Sequence, residues 1–170
     1  GISQEMQEGI FEGIPLEMAK TRTAAELVRE IIDTHHNVMA VASFSDELLE
    51  DPEGFARVWA NWCTIVRMLR DRGGAFAMVA PDYSRLWGTD AYAKFCERHV
   101  LDTQVAEGCA LRLEFENRPI AAGWIIASDD PYFINQFSGL RCVGGRSHIH
   151  PPQEAEHAAL DLIPTPLCHR

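Results

Sequence analysis

Lysine is almost missing from this sequence: Lys20 and Lys94 are the only two among fifteen basic residues, which face twenty-five acidic ones for a formal charge of -10. A chain this acidic has no continuous basic face from which to release counterions along a phosphate backbone, so nucleic acid is excluded as the main partner. A local arginine cluster can still hold one small anion. Long apolar runs are missing as well. None approaches the roughly 20 residues that span a bilayer, and no charged-then-apolar leader opens the chain, so no membrane partner is expected. Cysteines in CxxC spacing are absent. The five present (Cys63, Cys96, Cys109, Cys142, Cys168) are odd in number and far apart, which reads as reduced thiols in a cytoplasmic protein. No serine lies in a GxSxG turn and no cysteine stands beside a histidine within an obvious site, so no catalytic residue is assigned. A first residue of Gly1 instead of methionine reads as a processed or excised piece of a longer protein.

What is present is a full core. Of 170 residues, 46% are hydrophobic, which suits one compact domain. Its organising stretch is Asn37 to Asp82. Val38 to Phe44 is an uncharged run too short for a helix and apolar on both faces, which predicts a central, parallel strand. Asp51-Pro52 is a helix start, with the carboxylate expected to cap free amides. Phe55, Val58, Trp59, Trp62, Ile65, Val66 and Leu69 then recur at three- and four-residue steps, the spacing of one buried helix face. Gly73-Gly74 ends that helix, and Ala75 to Ala80 is the next apolar strand. A strand, a helix and a strand joined by short links predict a crossover unit with parallel strands.

Around this unit the pattern is looser. Residues 1–22 form an acidic arm with scattered apolar side chains, and residues 23–140 the α/β domain. Thr23 and Glu26 make a capping box for a helix that ends near Asn37. A further helix is expected from about Asp90 to Val100, and Cys63 and Cys96, on helical patterns, are expected in the core. Cys109 to Glu116 alternates apolar and polar residues, as a strand with one wet face does. Asn117-Arg118 is a turn, Pro119 to Ala127 a further strand, and Tyr132 to Phe137 another. The expected fold is therefore α/β, a mixed sheet with a parallel centre and antiparallel C-terminal strands, helices packed on it. The glycines and prolines after Arg141 make residues 141–170 an irregular tail.

The segments VASFSDELL and RGGAFAMVAPD, with the long helix between them, resemble the second half of a RecA-like domain of the KaiC type. Two parts of that family's machinery are changed here. Ala42 stands where the family carries its metal-positioning aspartate. The nearest candidate for a phosphate loop, GIPLEMAKT, has Ala19 instead of glycine before Lys20-Thr21. The resemblance thus implies a RecA-like module without hydrolysis. RGGAFAMVAPD and RPIAAGWIIASDD are also similar to a degenerate GGDEF domain, without the acidic pair after Gly73-Gly74 that binds metal.

Three residues are candidate ligand contacts. Asp82 ends the second strand, where open parallel sheets place functional side chains. Arg141 and Arg146 flank Gly144-Gly145, and the KaiC-like resemblance implies that a basic residue here reaches a neighbouring subunit's nucleotide; the alternative is an exposed glycine loop with ordinary surface arginines. His148, His150 and His157, with Cys142 and Cys168-His169, are either metal ligands or a solvated tail. No metal and no cofactor are expected. The expected function is a non-catalytic binding or assembly module acting on a protein partner or by self-association. The alternative is a domain that binds a nucleotide or a cyclic dinucleotide.

Overall fold

The computed structural model describes residues 24–112, 114–115, 117–144 and 147–148. The acidic arm, the Thr23 cap, Arg146 and most of the tail lie outside them. The element order is α1 (Ala24–Thr34), β1 (Met39–Ser43), α2 (Pro52–Asp71), β2 (Ala75–Pro81), α3 (Asp90–Arg98), β3 (Asp102–Glu107), β4 (Glu114–Phe115), β5 (Arg118–Pro119), β6 (Gly123–Ser128) and α4 (Pro131–Asn135).

The fold is α/β with a mixed four-stranded sheet in the order β1-β2-β6-β3. β1 and β2 are parallel neighbours, Met39 opposite Ala75 and Ser43 opposite Val79, with α2 as their connection. β6 runs antiparallel to both β2 and β3. The alternation of β2 divides the core between the two faces of the sheet, as a strand's two-residue period requires. Phe76, Met78 and Ala80 pack with α1, α2 and α3, while Val79 packs on the other face with Trp124, Ile126, Ile134 and Phe137.

Helix α2 sits as its sequence dictates. Val58, Trp62, Ile65, Val66 and Leu69 are buried on its inner face. Trp62 meets Phe44 and Phe76 edge-on at 6.3 and 6.0 Å, and Trp59 meets Phe95 at 5.5 Å. Each such pair adds about 0.5–1.5 kcal/mol beyond the apolar area it buries. The first turn differs in one respect from expectation: Pro52 takes the first helical position, but the Asp51 side chain makes no capping hydrogen bond. At the far end Arg72 pairs with Asp33 of α1 at 2.7 Å, joining the two helices.

Four further expectations are corrected. β1 takes an edge of the sheet, not a central place, and Val41 is 44% exposed there. The alternating stretch Cys109 to Glu116 is not one strand. Its first half is a turn held by Ala110 and Leu111 N–H bonds to the Glu107 carbonyl, with Arg112 at φ 59°, and among its described residues only Glu114–Phe115 pairs, with Arg118–Pro119. The strand on that side is instead Asp102–Glu107, which lacks an apolar alternation because it is an edge strand whose one fully buried side chain is Ala106. Tyr132 to Phe137 is not a strand either. Asp130 accepts hydrogen bonds from the Tyr132 and Phe133 amides, at 2.8 and 3.3 Å, and Pro131 begins a short helix. Cys96, expected in the core, is exposed, whereas Cys63 is half-buried.

Candidate functional site

Two grooves each gather polar and reactive side chains, one basic and one rich in sulfur. The first runs between α2 and α3 and has a volume of about 640 Å³. Helical spacing builds it: Trp59, Cys63, Arg67 and Arg70 follow one another along α2 at three- and four-residue steps, and Ala91, Lys94 and Arg98 do so along α3, with Phe95 beside Lys94 and His99 just past the helix. The floor is aromatic. Phe95 lies 5.5 Å from Trp59 and 4.5 Å from His99, with Phe76 beneath at 5.6 Å.

The rim is cationic. Arg70 is held by Asp129 at 2.8 Å, while Arg67, Lys94 and Arg98 form no ion pair with a described carboxylate. Two side chains inside the groove respond to this field. Burial pushes the Cys63 thiol up, and the Arg98 and Arg67 guanidiniums pull it back. Burial also holds the His99 imidazole below its ordinary value, and Arg70 and Arg98 add to this against Asp129. A site with an aromatic floor and three uncommitted cations is suited to a ligand that is acidic and partly apolar.

The second groove, about 600 Å³, is where Arg141 is found. It shares this groove with Arg112, Glu114, Cys109, Cys142 and His148. The segment after α4 is fixed to the end of β3: the Glu107 N–H donates to the Leu140 carbonyl at 2.9 Å, and the Cys142 N–H donates to the Glu107 carboxylate. Burial and the adjacent Cys142 sulfur raise the Cys109 thiol above its ordinary value.

Asp82 lies at the same end of the sheet but lines neither groove. Its N–H donates to the Gly123 carbonyl at 2.9 Å. Burial raises its carboxyl, two backbone N–H bonds oppose the rise, and the Glu107 charge adds to it. The structure therefore brings Asp82 and Arg141 to one region, linked through Glu107, and Arg146 lies outside the described residues. The neighbouring ends of β1 and β2 are closed by their own network: Ser84 Oγ donates to Asp46 at 2.6 Å, and Arg85 pairs with Asp46 and Glu50. Among the described residues no helix is long and apolar enough to cross a membrane.

In the sequence Arg67 and Arg70 stand on α2 as complements to the helix dipole, and local pattern does not join them to Lys94 and Arg98. The signal for that groove is two helices whose cationic residues share a spacing, but their side-by-side packing is a tertiary fact. Cys109 likewise falls on a strand-like alternation that does not reveal Cys142 as its neighbour. Compared with protein-family models, curated proteins and solved structures, the chain matches none of them.

Proposed function

We propose that this chain is a non-catalytic, RecA-like assembly module whose groove between α2 and α3 receives the acidic arm of a second copy. The observation that carries the reading is the concentration of Arg67, Lys94 and Arg98 around one aromatic-floored groove on a chain of net charge -10. Residues 1–17 hold Glu5, Glu8, Glu12 and Glu17 with no basic residue, interleaved with Met6, Ile10, Phe11 and Ile14. That composition complements both the rim and the floor. Opposite charge of this kind steers encounter and fixes register more than it adds affinity, so binding should weaken steeply with salt. Ala42, buried on β1 where the family has its metal-positioning acid, supports the absence of a hydrolytic step.

A synthetic peptide of residues 1–17, titrated into the chain lacking them and followed by tryptophan fluorescence and calorimetry, tests this. Binding is expected, abolished by Arg67→Glu with Arg98→Glu, and the full chain should have the mass of a dimer or larger in solution. A monomeric full chain with no peptide binding rules the reading out. The indole of Trp59 beside these cations favours one second reading, a nucleotide or cyclic dinucleotide stacked in the same groove. Titration of ATP, GTP and a cyclic dinucleotide, with and without magnesium, decides between the two.

A further inference from the structure

We propose that Cys109, Cys142 and His148 bind a zinc ion, which fastens the segment after α4 to the turn that follows β3. Their ligand atoms all lie within 4.8 Å of one another, and the Cys142 Sγ is 3.3 Å from His148 Nε2. Zinc bonds of about 2.3 Å to sulfur and 2.0 Å to nitrogen put two tetrahedral ligands about 3.5 Å apart, so the trio needs little closure to surround an ion. Two thiolates and an imidazole are a donor set that selects zinc over magnesium or calcium, which take oxygen ligands.

The surroundings are arranged for the same purpose. The Gly144 N–H points at the Cys142 sulfur at 3.4 Å, a hydrogen bond that stabilises thiolate charge, and Gly144 reaches this position with φ 75°, where a side chain is strained. The Cys142 N–H is held by the Glu107 carboxylate, so the backbone that presents the sulfur is anchored to β3. Both cysteines are free thiols. The two ligand segments are joined by the Glu107 hydrogen bonds and by Leu111 and Leu140 in one apolar cluster, but the stretch 140–144 has no regular secondary structure, so a bridging ion adds order to it. The fourth tetrahedral position falls to water. The site is separate from the groove between α2 and α3 and does not depend on what that groove binds.

The test uses the full chain, purified with a non-thiol reductant and measured by native mass spectrometry and metal analysis. One zinc ion per chain is expected, lost in Cys142→Ser and His148→Ala and kept in Cys63→Ser and Cys96→Ser. Cobalt added to the stripped, unsubstituted chain should give the visible absorption of a tetrahedral thiolate site and be displaced by zinc. This measurement stands even if a ligand variant fails to fold. A reduced chain that takes up neither metal overturns the proposal, as does a Cys109–Cys142 disulfide that forms in preference to metal binding. So does a cobalt spectrum unchanged in Cys142→Ser.

Discussion

Arg70 on α2 reaches Asp129, just past β6, at 2.8 Å, and the acid is the buried partner: its side chain is 6% exposed against 56% for the arginine. The other Asp129 oxygen accepts the Phe76 N–H at 3.0 Å. Beside it the Ser128 hydroxyl, fully buried, donates to the Phe76 carbonyl at 2.6 Å. Residues 128–129 therefore tie β6 to the start of β2 through that strand's own backbone.

The unequal burial predicts unequal costs. Asp129→Ala leaves a buried strand amide without its acceptor and should destabilise by about 2–3 kcal/mol. Arg70→Ala leaves the amide bond intact and removes a cation that is itself 56% exposed, so it should cost less, about 1 kcal/mol. Urea unfolding of the two variants, compared at equal slope, measures both. Equal losses would mean that the ion pair and not the amide bond is what Asp129 contributes.

His99 predicts a loss of stability in acid. Its imidazole is held below the ordinary value of 6.5, first by burial and then by Arg70, so the unfolded chain takes up the proton more readily than the folded one. Stability should therefore fall as pH drops below 6.5, and go on falling until the lowered folded value is passed. His99→Phe keeps a ring against Phe76 and Phe95 and should flatten this part of the profile, measured as urea midpoints at a series of pH values. An acidic occupant of the groove opposes the depression, so the affinity for the 1–17 peptide should rise as pH falls through the same window. A profile identical in His99→Phe would show that another group governs it.

Asp82 predicts the opposite sign. A carboxyl raised above 3.8 by burial is disfavoured when charged in the folded state, so its penalty is complete above its folded value and vanishes below 3.8. Asp82→Asn should raise the thermal midpoint at neutral pH, with the difference closing as pH falls toward 3.8. Glu107→Gln should recover a smaller part of the same gain, since the Glu107 charge is the lesser contributor. A lower midpoint for Asp82→Asn at neutral pH would show that the two backbone hydrogen bonds outweigh burial.

How much of this was legible in the sequence follows from which residues carry a periodic signal. Trp59, Trp62, Ile65 and Leu69 announce α2, and the apolar runs on either side announce β1 and β2, so the parallel pair was readable. Asp102–Glu107 was not, because an edge strand with Ala106 as its one buried side chain has too few apolar residues for an alternation to show. Cys109 to Glu116 does alternate, but the positive φ of Arg112 breaks the strand, and nothing in an arginine announces such a turn, whereas the turn at Asn117 was readable because asparagine tolerates the left-handed region. The helix at Pro131 was readable in principle, since Asp130-Pro131 repeats the Asp-Pro start of α2. Of the candidate contacts, Arg141 does line a groove, but its companions Cys109 and His148 reach it through the register of β3 and the course of the chain after α4, which local pattern does not encode.

Gly73 and Gly74 end α2 for different reasons. Gly73 has φ 72° with open space around it, so a side chain there meets only backbone strain. Gly74 has no such φ, but an added Cβ would lie 2.7 Å from the Val38 carbonyl oxygen and 3.0 Å from Leu69 Cδ2. That oxygen is not free to retreat, because it accepts the Ala75 N–H at 3.1 Å where β2 begins to pair with β1, while the Gly74 N–H is committed to the Leu69 carbonyl at 2.8 Å. Gly73→Ala should therefore cost about 1 kcal/mol, and Gly73→Asn less, since asparagine tolerates the left-handed region. Gly74→Ala should cost more, about 2–3 kcal/mol, as overpacking against fixed backbone does. Chemical unfolding of the three variants gives the order directly. If Gly74→Ala proved the milder change, the start of β1 would have to be movable, and the register of the parallel pair would be set by Ala40 to Ser43 and not by the contact at Val38.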